Sequence, residues 1–360
     1  MTEDKNNEQI KIKNTALLLS FASATMGIAG VFAYFGLYSL LYPLVIAAAA
    51  VFSVNIALRS IRDTILLRIK TGIQKYFTVI TESLIYFITA ILAVSIIIYI
   101  SQDQMLFYYI DDAESRGFLW SIPGYHEVEF TSTNGKTYNG VIYKQTEEKA
   151  PLIIYFGGNG ECSYRHMRNR YVNDGWEYYE GYNYLYVDYE GYGINEGKTN
   201  YLNMYEQALA VYDFAAAQKY VDEQNIVVMG YSLGTGNAVY LAANRNVAGL
   251  ILVAPYANGK DFYNNLLPVF YGPMELLIKQ KLPSDEYAEN VSCPTLVIAS
   301  LGDEMVPYES SERLYRLFSE NTEFMRLENE SHNNIFRNKD FPVRIKSFLD
   351  RVDALYKGDG

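Results

Sequence analysis

The sequence predicts an α/β domain with a mostly parallel sheet flanked by helices, preceded by transmembrane helices. Two long stretches, residues 14–58 and 83–102, contain no charged residue, and a helix crosses the hydrocarbon core in about 20 residues. Beyond residue 104, short apolar strands alternate with amphipathic helical stretches, which is the pattern of a sheet covered on both faces. The 360 residues leave room for both parts.

The N-terminal 104 residues are predicted to form a membrane domain with three helices, at about 15–36, 40–58 and 80–101. The first uncharged stretch is long enough for two crossings. Two other interpretations are buried helices of a soluble protein, which rarely lack a polar stripe over such lengths, and a cleaved signal peptide after Ala22-Ser23-Ala24. The apolar run continues well past Ala24, which disfavours cleavage.

The segment between the second and third predicted helices sets the orientation. Residues 59–75 contain five Lys or Arg residues and one Asp, and basic loops of this kind stay on the cytoplasmic side. A single crossing by the third helix then puts the rest of the chain outside the cytoplasm. We therefore expect a multi-pass protein of the plasma membrane, with the lipid bilayer as its partner and an extracytoplasmic domain.

Residues 105–360 are predicted to form the α/β domain. Alternation around Asn134-Gly135 indicates a β-hairpin. Six further strands are expected, at 151–156, 184–189, 225–230, 249–256, 294–300 and 322–327. Between the fourth and fifth of these, residues 257–292 are long enough for a small cap.

Charge and motifs exclude several function classes. Residues 1–100 carry eight basic and five acidic side chains, and the remaining 260 carry 22 and 36. An acidic domain lacks the basic face that nucleic acid requires, so no nucleic-acid partner is expected. Neither glycine-rich stretch has the dinucleotide pattern G-x-G-x-x-G, and the two cysteines match no zinc spacing. We predict no cofactor and no metal, and the sequence does not indicate an oligomeric state.

The stretch "VVMGYSLGTGNAVY" places Ser232 between two glycines, after a predicted strand and before a predicted helix. This strand–turn–helix context is that of a nucleophile elbow, in which small residues allow a tight turn at the serine. The backbone N–H of Leu233, at the start of the helix, is then free to donate to an oxyanion.

A serine hydroxyl needs a base to take its proton, and the chain has three histidines. His332 lies in a polar loop after the last predicted strand and is the candidate base. For His126 and His166 a packing or surface role is favoured. Asp303 follows another buried strand and is the candidate acid, with its neighbour Glu304 as the alternative.

The chain order serine, aspartate, histidine is the order found in α/β-hydrolases. An oxyanion site also needs a second donor, from the loop after the first parallel strand. That loop reads "YFGGNGE", in which glycines let backbone N–H groups approach a substrate oxygen. We predict the Asn159 N–H as this donor.

Four motifs, "YFGGNG", "DYEGYGINEGK", "GYSLGTG" and the pair "GDEMVP"/"ESHNNIF", resemble the membrane-anchored serine hydrolase branch of the α/β-hydrolase superfamily. This branch includes lysophospholipases, monoacylglycerol lipases and protein depalmitoylases. The resemblance implies a Ser232, Asp303 and His332 triad, an oxyanion hole at Asn159 and Leu233, and a structural role for Asp188.

Two departures from that family are visible. The family usually has His-Gly-Asn where this chain has Gly157-Gly158-Asn159, which removes a side chain that helps to fix the loop. It usually has arginine where Glu190 stands, which implies different electrostatics at the rim.

The sequence thus predicts a membrane-anchored serine hydrolase that cleaves an acyl ester or thioester through an acyl-enzyme. A site near a bilayer favours lipid or lipidated substrates. The alternatives are a peptidase or amidase of the same fold and an inactive membrane scaffold.

Overall fold

The computed structural model describes residue 55 and residues 72–173, 175 and 179–357. The chain divides into two compact units, Met1–Met105 and Leu106–Gly360. The second unit contains one eight-stranded sheet with the order β1-β2-β4-β3-β5-β6-β7-β8. Its strands are β1 Tyr125–Thr131, β2 Thr137–Tyr143, β3 Ala150–Phe156, β4 Asn183–Val187, β5 Val221–Tyr231, β6 Gly249–Val253, β7 Thr295–Ser300 and β8 Thr322–Leu327.

The strands pair as the sequence predicts. β1 and β2 form an antiparallel hairpin, and β2 is antiparallel to β4. The remaining neighbours, from β4 through β8, are all parallel. The mostly parallel sheet is therefore confirmed.

The described helices lie between and beyond the strands. Their bounds are α1 Gly72–Leu106, α2 Ala113–Leu119, α3 Ser163–Val172, α4 Tyr201–Ala216, α5 Gly234–Asn244, α6 Gly259–Leu266, α7 Ser284–Ala288, α8 Tyr308–Tyr315 and α9 Phe341–Lys357, with 3-10 helices at Gly272–Leu277 and His332–Arg337. α6, α7 and the first 3-10 helix occupy the segment predicted as a cap.

Two strands end earlier than the sequence suggested. β6 stops at Val253 rather than at residue 256 because Ala254 has φ of 51°, a left-handed conformation that turns the chain. β4 stops at Val187 rather than 189. The Asp188 N–H still donates to the Asn139 carbonyl in the register of β2 and β4, but the Asp188 carbonyl accepts from the Gln207 side chain instead of from a strand.

Both faces of the sheet are buried. Side chains of a strand alternate between faces. Ile153, Val227 and Ile251 pack in one core with residues of α3 and α9. The intervening side chains of these strands are also fully buried, and α4 and α5 pack against β5. This covering of two faces is why the central strands read as nearly continuous apolar runs.

In the first unit, α1 is the element whose composition suits a membrane. Its segment Ile80–Gln104 has a mean hydropathy of 2.5 over its most apolar window and is the one helix among the described residues that is long and apolar enough to cross a bilayer. Many of its large apolar side chains are exposed, including Ile80, Phe87 and Ile100. The predicted spans at 15–36 and 40–58 lie outside the described residues, apart from Asn55.

Candidate active site

Ser232 lies at a sharp turn directly after β5 and just before α5. Its φ of 49° is in the left-handed region, which a residue with a side chain rarely adopts. The strain is held by neighbouring strands, because the Ser232 N–H donates to the Val253 carbonyl at 2.9 Å. The glycine of the turn is required by space: a Cβ at Gly234 would lie 2.1 Å from the carbonyl oxygen of Phe156.

The structure brings the three predicted side chains together. Ser232 Oγ is 2.9 Å from His332 Nε2, and His332 Nδ1 is 2.8 Å from Asp303 Oδ2. A carboxylate oxygen can only accept, so Nδ1 donates to Asp303 and Nε2 accepts from the serine hydroxyl. The three side chains follow β5, β7 and β8, so they meet at the carboxyl edge of the parallel sheet.

These side chains are largely shielded from solvent. Ser232 is 4% exposed and His332 is 6% exposed, and the Asp303 side chain is 2% exposed. The second oxygen of Asp303 accepts from the backbone N–H groups of Met305 and Val306, at 2.9 and 2.8 Å. These two bonds fix the carboxylate facing the imidazole.

The alternative acid, Glu304, is also close to His332 but contacts a different part of it. Its Oε2 accepts from the backbone N–H of His332 at 3.1 Å. The carboxylate that meets the imidazole ring therefore belongs to Asp303, and Glu304 supports the loop that carries the histidine.

Tyr231 is a member of this site that the sequence analysis missed. Its ring stacks on the His332 imidazole with 5.2 Å between centroids, and its hydroxyl donates to the His332 carbonyl at 3.1 Å. Its position in the elbow, directly before Ser232, was the available signal. Stacking and hydrogen bond together restrict the imidazole to one plane.

The glycine-rich loop after β3 lies beside the serine. A Cβ at Gly158 would stand 3.5 Å from the Cβ of Ser232. The Asn159 side chain is held from two sides, because its Oδ1 accepts from the Tyr108 N–H at 2.7 Å and from the Tyr192 hydroxyl at 2.9 Å. In the part of the chain that the structure describes, the backbone N–H groups of Asn159 and Leu233 donate to no protein acceptor.

A second acid–histidine pair lies behind this loop, and the sequence analysis missed it too. Glu161 Oε1 is 3.7 Å from His166 Nδ1. The imidazole stacks on Tyr155, with centroids 4.3 Å apart, and its Nε2 is 3.1 Å from the Tyr184 hydroxyl. An acid directly after the glycine loop was the only sequence signal.

Electrostatics differ for the two members of this pair. Burial raises the pKa of Glu161, but the nearby His166 side chain and the hydrogen bonds from the Gly158 N–H and the Tyr155 hydroxyl outweigh it, and the net pKa is lowered. Burial lowers the pKa of His166, against the opposing effect of Glu161. The pair is therefore an ionised carboxylate beside a neutral imidazole at neutral pH.

The two departures from the resembling family have structural explanations. A Cβ at Gly157 would lie 1.8 Å from the Tyr186 hydroxyl, so the tyrosine occupies the space of a larger side chain. Glu190 is buried rather than at an exposed rim, and its Oε1 forms a 2.6 Å ion pair with Lys136. The ion pair with Lys136 therefore largely neutralises the negative charge that was expected to alter the electrostatics at the rim.

Asp188 is another buried carboxylate, and its partners are structural. Its two oxygens accept from the Ser163 N–H and the Ser163 hydroxyl, both at 2.6 Å, at the start of α3. Burial raises the pKa of Asp188 to about 7, against the lowering effect of these bonds. Among the described residues, no cluster of three or more His, Cys, Asp or Glu side chains could hold a metal ion.

Comparisons with known proteins agree with this fold. Residues 177–350 match the model of the prolyl oligopeptidase family. The chain is 28% identical over 168 residues to the Caenorhabditis elegans α/β hydrolase domain-containing protein aho-3, covering 47% of this chain and 49% of that protein. It is 25% identical to mouse α/β hydrolase domain-containing protein 17C, covering 62% of this chain and 67% of that protein.

The Pyrococcus furiosus esterase Pf2001 has a similar structure, with a TM-score of 0.55 and 16% identity, covering 68% of this chain and 98% of the esterase. An identity this low speaks for the fold alone. The chain spans about half the length of the nematode relative. With the sheet order and the named relatives, these similarities show that the chain belongs to the α/β-hydrolase superfamily.

Proposed function

We propose that this chain is a membrane-anchored serine hydrolase that cleaves acyl ester or thioester bonds. The observation that carries the proposal is the continuous hydrogen-bonded line from Ser232 Oγ through both nitrogens of His332 to Asp303 Oδ2. A hydroxyl held 2.9 Å from an imidazole nitrogen is within reach for proton transfer.

In the proposed reaction, Ser232 Oγ attacks the acyl carbonyl carbon while its proton moves to His332 Nε2. Asp303 stabilises the imidazolium through Nδ1. The proton then passes to the leaving oxygen or sulfur, the bond to the acyl carbon breaks, and an acyl-enzyme remains. Water then attacks the acyl carbon while His332 Nε2 takes its proton. As the bond to Ser232 Oγ breaks, the imidazolium returns that proton to Oγ, and the acid is released.

Charge on the carbonyl oxygen would be stabilised by the backbone N–H groups of Asn159 and Leu233. Three observations support this: neither group has an acceptor among the described residues, Leu233 stands at the N-terminus of α5, and the loop carrying Asn159 lies against Ser232. The hole would be preorganised, because the Asn159 side chain is anchored to Tyr108 and Tyr192.

We propose lipid or lipidated substrates because of the apolar helix α1. Its exposed apolar side chains favour a bilayer environment, and the basic stretch before it favours a cytoplasmic start and an extracytoplasmic hydrolase domain. A domain tethered to a bilayer meets membrane substrates at high effective concentration.

A peptidase of the same fold is the second candidate, and the match of residues 177–350 to the prolyl oligopeptidase family model favours it. A Ser-His-Asp site acts on amides as well as on esters. The small cap, rather than the chemistry of the triad, would have to admit a peptide.

The proposal is tested with the detergent-solubilised full chain and its Ser232→Ala variant. We expect a fluorophosphonate probe to label the wild-type chain and not the variant, and medium- and long-chain p-nitrophenyl esters to be hydrolysed faster than peptide p-nitroanilides. Equal labelling of the folded variant would overturn the assignment of the nucleophile. Preferential cleavage of the anilides would favour the peptidase, and a folded wild-type chain without labelling or turnover would indicate a scaffold.

A further inference from the structure

The loop that carries the Asn159 N–H is held by the Glu161 side chain as well as by the contacts of Asn159. Glu161 Oε2 accepts from the Gly158 N–H at 2.8 Å and from the Tyr155 hydroxyl at 2.9 Å. Tyr155 belongs to β3, so a single carboxylate oxygen ties the loop to the central sheet.

The backbone of Glu161 holds the same glycine a second time. Its N–H donates to the Gly158 carbonyl at 3.3 Å and closes a turn in which Gly160 has φ of 73°. The Gly158 carbonyl belongs to the peptide unit that also contains the Asn159 N–H. Because a peptide unit is planar, fixing this carbonyl fixes the direction of that N–H.

His166, the other member of the second acid–histidine pair, in turn holds the Glu161 carboxylate. Arg170 Nε can only donate, and it is 3.5 Å from His166 Nε2, so the proton of the neutral imidazole lies on Nδ1 and faces Glu161 Oε1. The imidazole itself is stacked on Tyr155. Each oxygen of Glu161 therefore has its own partners, and the carboxylate is restricted to one orientation.

We propose that the Glu161 side chain positions the oxyanion site: by holding the Gly158 N–H, it supports the adjoining Gly158–Asn159 peptide unit at the angle that the reaction requires. This inference rests on the proposed serine hydrolase function. It assigns Glu161 no contact with substrate, and His166 acts only through Glu161.

The test compares Glu161→Ala and Glu161→Gln in the full chain, with Glu147→Ala as the matched control. Glu147 is an exposed carboxylate whose partner is Lys144, the residue directly after β2. With a p-nitrophenyl ester, we expect Glu161→Ala to lower kcat about tenfold or more with KM changed less than about threefold, because the loss falls on the transition state. Glu161→Gln keeps an acceptor for the Gly158 N–H and should recover most of kcat, and Glu147→Ala should match the wild type.

A boronic acid that forms a tetrahedral anionic adduct with the serine gives the second readout. For octylboronic acid, Glu161→Ala should raise the inhibition constant by about the factor by which kcat/KM falls, at an unchanged KM for the ester. A loss of general stability would not produce this selective effect. Thermal unfolding of each variant is measured in parallel, and if Glu161→Ala does not fold, the boronic acid affinity and KM of Glu161→Gln carry the test.

The outcomes separate the two proposals. Turnover and boronic acid affinity of Glu161→Ala equal to those of the wild type, in a background where Ser232→Ala is inactive, would overturn the positioning role alone. If Glu161→Gln is the only folded variant, a KM that rises in step with the boronic acid constant would overturn it. Turnover that persists in folded Ser232→Ala would overturn the serine hydrolase proposal and, with it, this one.

Discussion

The described part of the domain contains two carboxylate–histidine pairs, and they differ in the group that contacts the other nitrogen, Nε2, of the imidazole. His332 has Asp303 at 2.8 Å from Nδ1 and a serine hydroxyl at 2.9 Å from Nε2. His166 has Glu161 at 3.7 Å from Nδ1, and its Nε2 faces the Tyr184 hydroxyl and a guanidinium. Both rings are stacked on a tyrosine.

The comparison teaches that an acid beside a histidine does not by itself make a base. A general base must receive a proton from a group that then reacts, and a tyrosine hydroxyl held inside the core has no access to substrate. The loops at the carboxyl edge of the sheet give His332 a strained serine as its neighbour. The interior gives His166 aromatic rings, so its carboxylate serves to hold a loop.

The largest expected effect is on turnover when each histidine is removed in turn. His332→Ala should lower kcat for a p-nitrophenyl ester by about 10⁴- to 10⁶-fold, because in the proposed mechanism Ser232 loses its base. His166→Asn should lower kcat by less than about tenfold, because it only loosens the support of Glu161. The measurement is kcat of the two folded variants. Similar losses of kcat in both would remove the distinction between the two pairs.

The next effect distinguishes the two acids beside His332. Asp303→Asn should lower kcat about 10⁴-fold, because an amide no longer favours the Nδ1-protonated tautomer and no longer stabilises the imidazolium. Glu304→Gln keeps an acceptor for the His332 backbone N–H, so we expect a change of less than about fivefold. The measurement is kcat/KM of both variants, and the reverse ranking would make Glu304 the acid.

The sequence was sufficient to predict the pair of Asp303 and His332 but not the pair of Glu161 and His166, for a physical reason. Ser232, Asp303 and His332 each follow a predicted strand, so strand patterns alone put them at one edge of the sheet. His166 is held beside Glu161 because its imidazole stacks on Tyr155 of β3 and Tyr184 of β4, and no local pattern encodes which aromatic rings will face each other.

Some backbone conformations could not be predicted from the sequence either. The early end of β6 depends on a left-handed alanine, Ala254, which has no composition signal. The strained conformation of Ser232, in contrast, was expected from the glycines around it. Local sequence predicts strain where glycine signals it and misses strain that tertiary contacts impose.

A smaller effect should appear when the tyrosine of each pair loses its hydroxyl. Tyr231→Phe keeps the stack on His332 and loses the bond to the His332 carbonyl, so kcat should fall about three- to tenfold. Tyr184→Phe, at the other pair, should change kcat less than about twofold. Steady-state kinetics at one pH decide this, and thermal unfolding should show a cost of about 1 kcal/mol for each lost bond.

The smallest effect on turnover, and a distinct effect on stability, is expected for Asp188→Asn. Asp188 has no histidine partner: its contacts are the Ser163 N–H and hydroxyl. Burial raises the pKa of Asp188 to about 7, above its ordinary value of 3.8. Between those two values the folded state binds more proton than the unfolded state, so this group makes the free energy of unfolding fall as pH rises from about 4 to about 7.

Asp188→Asn removes that titration and keeps an acceptor for the Ser163 N–H. The wild-type chain should therefore lose up to about 4 kcal/mol of stability relative to the variant across that pH range, at about 1.4 kcal/mol per pKa unit. Denaturant unfolding of both proteins at pH 4.5 and pH 7.5 measures the difference in their free energies of unfolding. The contributions of the other titrating groups cancel in this difference. A pH-independent difference would mean that Asp188 is ionised throughout the range. Its hydrogen bonds from Ser163 would then lower its pKa more than burial raises it, as the hydrogen bonds to Glu161 do.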